Sequence, residues 1–243
     1  MVKYLVVIIV AVTLIFFGVR YVKFFNSVKT GKQLAATSTP FAFTLPNPQK
    51  RLLIIGDSTA VGVGSSDPSG SIAGKFHRDF LGVEIINISR SGAQLAEIAT
   101  MLDRAEGNFD LILIQGGAND IIYFTPLSKS ADQLDMLFKE AKGRAPEVVS
   151  ITSGDVGLAP MFPWPLNWVY SYRSKIFLDR FKKIAADDGV RFVELYQPRA
   201  DDLLSQDIAR FYAPDGLHLT GDGYEVWYQK ILETLGRDNP LRR

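Results

Sequence analysis

Five short apolar runs, RLLII (51–55), VEIINI (83–88), DLILIQ (110–115), EVVSIT (147–152) and VRFVEL (190–195), constrain this chain more than any other feature. Each is bounded by turn residues and is too continuously apolar for a half-exposed strand, the pattern of parallel strands buried on both faces. Helix-like stretches separate them: AQLAEIATMLDRA (93–105), ADQLDMLFKEAKG (131–143) and YRSKIFLDRFKKIAADDG (172–189), with GDGYEVWYQKILETLG closing the chain. In the third, Ile176, Phe177, Phe181 and Ile184 recur at helical spacing and form one apolar face. Parallel neighbours require crossovers, so this alternation predicts a single three-layer α/β/α sandwich around a five-stranded parallel sheet. Its ligand site belongs at the carboxyl ends of the strands.

Composition agrees with one sizeable core, since 47% of the 243 residues are hydrophobic. A formal charge of +1, from 27 basic and 26 acidic side chains, offers no surplus for neutralising phosphates, so no nucleic-acid partner is expected. With no cysteine, disulfides, thiol nucleophiles and thiolate metal sites are excluded together. Imidazole chemistry rests on His77 and His218.

Ahead of the first run, Tyr4 to Val19 carries no charge and lies between Lys3 and Arg20. As a helix it spans about 24 Å, and with Tyr21 and Val22 it is long enough to reach across a bilayer. Residues 1–23 therefore read as an uncleaved membrane anchor or as a signal peptide, and the want of a prompt small-x-small site favours the anchor. Arg20, Lys23, Lys29 and Lys32 follow the span and favour a cytoplasmic domain, against Lys3 on the other side. With Pro40, Pro46 and Pro48 close together, residues 24–50 read as a linker and the folded domain as residues 51–243.

RLLII runs directly into Gly56-Asp57-Ser58, which places a hydroxyl where a strand hands over to a loop or helix. Ser58 fits either a helix cap or a nucleophile. A nucleophilic serine needs an imidazole, an acid to orient it and donors for the oxyanion. His218 follows Asp215 by three residues in APDGLHLTGDGY, so one short turn can carry both. Gly92 in RSGAQ and Asn119 in QGGAND each come just after a core strand, where a backbone N–H and a side-chain amide can serve as oxyanion donors, or where turn glycines and capping residues belong. His77 sits in a helix-like, charged stretch away from the strand ends.

Gly56-Asp57-Ser58, Gly92, Gly117-Ala118-Asn119-Asp120 and Asp215-Gly216-Leu217-His218 together resemble the four blocks of the SGNH/GDSL hydrolase family, in that family's order. The resemblance covers Arg51 to Gly236. It implies a flavodoxin-like fold and a serine esterase mechanism without cofactor or metal. Ser58 would be the nucleophile, His218 the base and Asp215 the orienting acid, with Ser58, Gly92 and Asn119 forming the oxyanion hole and Asp57 and Asp120 bracing loops. Thr59 after the serine departs from many family members and touches only local pocket shape. The implied substrate is a small-molecule, lipid or glycan ester. An exported hydrolase is also implied, which places the domain on the extracytoplasmic side of its anchor.

An α/β-hydrolase elbow requires G-x-S-x-G, whereas GDSTA ends in Ala60. GVGSSD (62–67) stops short of a dinucleotide fingerprint, and GSIAGK (70–75) is too short for a P-loop and is followed by Phe76. A non-catalytic lipid- or carbohydrate-binding module on the same fold is the remaining alternative. GLAPMFPWPLNWVYSY (157–172) fits an acyl-chain wall, a sugar platform, a membrane-facing lip or a loop packed on the core.

Overall fold

The computed structural model describes residues 2–242. Strands β1 (Lys50–Gly56), β2 (Val83–Asn87), β3 (Leu111–Gln115), β4 (Glu147–Ile151) and β5 (Arg191–Val193) form one sheet in the order β2-β1-β3-β4-β5. Every adjacent pair is parallel. This is the flavodoxin-type doubly wound order, whose direction of winding reverses between β1 and β3 and opens a crevice there.

The helices are α1 (Val2–Thr37), α2 (Ser58–Val61), α3 (Ile72–Asp79), α4 (Leu95–Arg104), α5 (Ala118–Ile122), α6 (Leu127–Arg144), α7 (Leu166–Asp187), α8 (Leu203–Gln206), α9 (Ile208–Phe211) and α10 (Gly221–Leu235). Strand side chains alternate between two cores. Leu53, Ile55, Ile112, Ile114 and Val148 pack with Ile98 of α4, Phe138 of α6 and Phe181 of α7. Leu52, Ile54, Leu111, Leu113 and Val149 pack with Phe76 of α3 and Tyr224 and Tyr228 of α10. Both faces are covered at the inner strands β1, β3 and β4, whose sequences carry no polar alternation, whereas the edge strand β2 alternates buried and part-buried residues. Each fully buried aliphatic side chain contributes about 1.5–3 kcal/mol relative to exposure.

Two features depart from the sequence reading. Helix α7 begins at Leu166, so the second half of the aromatic segment is helical. Pro165 occupies its N-cap position, where the missing N–H removes no helical hydrogen bond. The larger departure concerns residues 24–50. They are not a free linker: α1 continues unbroken to Thr37, because the stretch after Tyr21 contains no proline and several good helix formers. Phe24 packs on the α7-side core, its ring 6.3 Å from that of Phe162, and Gly31 is buried. Further on, Phe43 N–H donates to Ile85 O (2.9 Å) and Ile85 N–H to Phe43 O (2.8 Å), an antiparallel bridge on the outer edge of β2. Phe41 and Phe43 pack against the other core and against the ring of His77, at 5.4 and 4.1 Å. The folded unit therefore extends upstream of Arg51, with Phe41 and Phe43 forming a strap against the outer edge of β2 at Ile85.

Candidate active site

Ser58 stands at the crevice because of the two residues before it. A Cβ on Gly56 would lie 2.2 Å from Gln115 O, so only glycine lets β1 end this close to β3. Asp57 then caps α2, its Oδ1 accepting from the N–H (2.9 Å) and Oγ1 (2.8 Å) of Thr59. Burial pushes the Asp57 carboxyl above its ordinary range, against the hydrogen bonds from Thr59. With the capping role taken by Asp57, Ser58 is the first residue of the helix and its hydroxyl is free for other work.

The partner arrives from the turn between α9 and α10. Tyr212 and Leu219 bridge across it, Ala213 N–H donates to His218 O (2.8 Å), and Gly216 takes φ +68°, a left-handed conformation that glycine adopts without strain. Asp215 Oδ1 accepts from the backbone N–H groups of Leu217 (3.0 Å) and His218 (3.1 Å). Its Oδ2 lies 2.5 Å from His218 Nδ1, and His218 Nε2 lies 3.0 Å from Ser58 Oγ. Burial alone would raise the Asp215 carboxyl, but the His218 hydrogen bond and charge, with the two N–H donors, hold it below the usual carboxylate range. A carboxylate so fixed sets the imidazole tautomer, and the opposite nitrogen is placed to take the hydroxyl proton.

Asn119 sits in the first turn of α5, directly after β3, and donates one amide N–H to Ala93 O at 3.0 Å. This ties it to the loop that carries Gly92, which has φ +80° and no atom within 4 Å of a built Cβ. Asn119 also borders the cavity beside Ser58. Asp120 is fully buried and accepts from Leu95 N–H (3.0 Å) and Ser130 Oγ (3.2 Å), bracing α4 and α6 against α5. The structure thus brings Ser58, Asn119, Asp215 and His218 to one edge of the sheet and leaves His77 in its aromatic sandwich. Among the described residues no cluster of three or more His, Cys, Asp or Glu side chains is grouped as metal ligands would be.

Beside Ser58, His218 and Asn119 lies a cavity of about 70 Å³ walled by Ile122, Val156, Ala159, Leu204, Tyr212 and Trp227, among others. These walls come from separate loops and helices, so no local pattern in the sequence marks them. The aromatic residues 161–168 do not line it. Phe162 is buried against Tyr170 (4.5 Å between rings), whereas Trp164 and Trp168 are exposed and Trp164 stacks 5.8 Å from Phe17 of α1.

Residues 54–226 match the GDSL-like lipase/acylhydrolase family. The chain belongs to that family. Membership makes it an ester hydrolase. Solved structures of similar fold include TesA (19% identity, TM-score 0.63, covering 79% of this chain and 99% of that one). Others are LAE5, described as an alpha/beta hydrolase enzyme from the metagenome of Lake Arreo (16%, 0.60, 77% and 95%), and Axe2, an acetylxylan esterase from Geobacillus stearothermophilus (17%, 0.55, 78% and 95%). At these identities the likeness establishes the fold. No curated protein sequence matches the chain.

Proposed function

We propose that this GDSL-family hydrolase cleaves esters of short carboxylic acids through an acyl-enzyme on Ser58. The observation that carries the reading is the continuous contact from Ser58 Oγ to His218 Nε2 (3.0 Å) and from His218 Nδ1 to Asp215 Oδ2 (2.5 Å). His218 takes the hydroxyl proton as Ser58 Oγ attacks the ester carbonyl, and Asp215 stabilises the imidazolium that forms. The Ser58 and Gly92 N–H groups and the Asn119 amide receive the developing oxyanion. His218 then returns the proton to the leaving alcohol, and water, activated by the same imidazole, releases the acid.

Cavity size supports a short acyl group. A void of about 150 Å³ accepts a benzene ring, and the space beside Ser58 is about 70 Å³. Acetyl to butyryl groups suit it. The acetyl ester named for Axe2 agrees with this assignment. The test is a series of p-nitrophenyl esters together with a fluorophosphonate probe. Acyl chains of two to four carbons should give kcat/KM at least tenfold above the eight-carbon ester, with the probe mapping to Ser58 and not labelling Ser58→Ala. Rates that climb with chain length would overturn the short-acyl assignment, and labelling that survives Ser58→Ala would overturn the nucleophile.

Helix α1 is long and apolar enough to cross a membrane, with mean hydropathy 2.6 over its best window and no burial of that window. We read it as an anchor that holds the hydrolase at a bilayer surface.

A further inference from the structure

The geometry points to Gly31, on the N-terminal helix, as a positioning residue for Asp215: its missing side chain lets α1 lie directly against the carboxylate that orients His218. This rests on the assignment of Ser58, His218 and Asp215 as the catalytic triad. The helix that carries the apolar span is then also the back wall of the catalytic site.

Gly31 is the buried residue of α1, and a Cβ built on it would stand 2.8 Å from Asp215 Oδ2 and 3.7 Å from Asp215 Cβ and Cγ. Real Cβ atoms essentially never approach a heavy atom that closely, so either the carboxylate or α1 would have to shift. The carboxylate has nowhere to go at no cost. Oδ2 is the oxygen held 2.5 Å from His218 Nδ1, while Oδ1 is held by two backbone N–H groups. Any rotation that relieves the contact breaks one set or the other and turns the imidazole away from Ser58. Asp215 is wholly buried, and α1 supplies part of that cover. Excluding water there strengthens the hold of the carboxylate on the imidazolium that forms during acylation.

The glycine is not explained by the needs of the helix. Glycine is the least favourable residue short of proline inside a helix, so alanine at this position strengthens α1 as a helix. Gly18 lies on the same helix with nothing within 4 Å of a built Cβ, and serves as the internal control.

The experiment uses the full-length chain in detergent micelles with p-nitrophenyl acetate as substrate. Gly31→Ala should lower kcat by about tenfold with KM within twofold, as small misplacements of catalytic groups do, while Gly18→Ala should leave both unchanged. A double-mutant cycle isolates the route. In an Asp215→Ala background, where activity is already low, adding Gly31→Ala should change kcat by less than twofold. The downfield proton resonance of His218 Nδ1 should shift in Gly31→Ala and hold in Gly18→Ala. An unchanged kcat in Gly31→Ala, or the same fold-loss with and without Asp215, would overturn the proposal. Failure of the triad reading itself is separately visible, as hydrolysis that persists in Ser58→Ala.

Discussion

At the scale of single residues, the site depends on dividing roles between neighbours. Asp57 takes the capping role that would otherwise fall to Ser58, and Asn119 gives one amide proton to Ala93 O while keeping the other. If that second proton meets the oxyanion, Asn119→Ala should lower kcat by about 10²–10³-fold with KM little altered, because the interaction strengthens as charge develops. Steady-state kinetics on a short ester check it, and a change confined to KM would make Asn119 a substrate-binding residue. Ser58, Asn119, Asp215 and His218 were legible in the sequence because each lies in a short motif next to an element boundary. Gly31 was not legible: its importance comes from a tertiary contact with Asp215, and nothing in VKTGKQ marks it. The walls of the cavity beside Ser58 were hidden for the same reason, since Leu204, Tyr212 and Trp227 come from separate elements.

At the scale of elements, the strands were readable because burial on both faces leaves continuous apolar runs, and α4, α6 and α10 because one face of each is apolar. The strap at residues 41–43 was not, since a single bridge to Ile85 needs no more than one residue of extended backbone. Packing of α3 on α10 adds an electrostatic component. Lys75 is nearly buried and pairs with Glu225 at 2.8 Å, and Arg78 reaches the same carboxylate at 3.2 Å. Burial raises the Glu225 carboxyl, but Lys75, Gln229 and Arg78 more than offset this and bring it to about 2. A carboxyl lowered on folding stabilises the native state above its unfolded value, about 4.3, and loses that contribution as pH falls through its folded value. Glu225→Gln should therefore destabilise by about 1–2 kcal/mol at pH 7, kept modest by solvent screening of a partly exposed pair. The difference should shrink as pH drops from about 4 towards 2. Urea unfolding of both proteins at pH 7 and pH 3 measures it, and a pH-independent gap would show that packing, not charge, accounts for the loss.

At the scale of the whole molecule, the question is whether α1 is a leash or a component. The two cores are built from residues after Pro40, with Phe24 as the α1 side chain packed on them. A chain of residues 40–243 should therefore still unfold cooperatively. What it loses is the cover over Asp215 supplied around Gly31 and the aromatic contacts of Phe17 with Trp164 and Phe24 with Phe162. A simple tether predicts equal turnover with and without α1. A back wall predicts that the 40–243 chain, though folded, has kcat on p-nitrophenyl acetate reduced by about tenfold or more, because water then competes for the carboxylate that orients His218. If α1 is an anchor, full-length protein should also stay with membranes through alkaline carbonate extraction, while the shorter chain is released. Comparing the two proteins in the same detergent separates the outcomes. Equal kcat would leave α1 with no part in catalysis, whereas loss of turnover with retained folding would make α1 a component of the site.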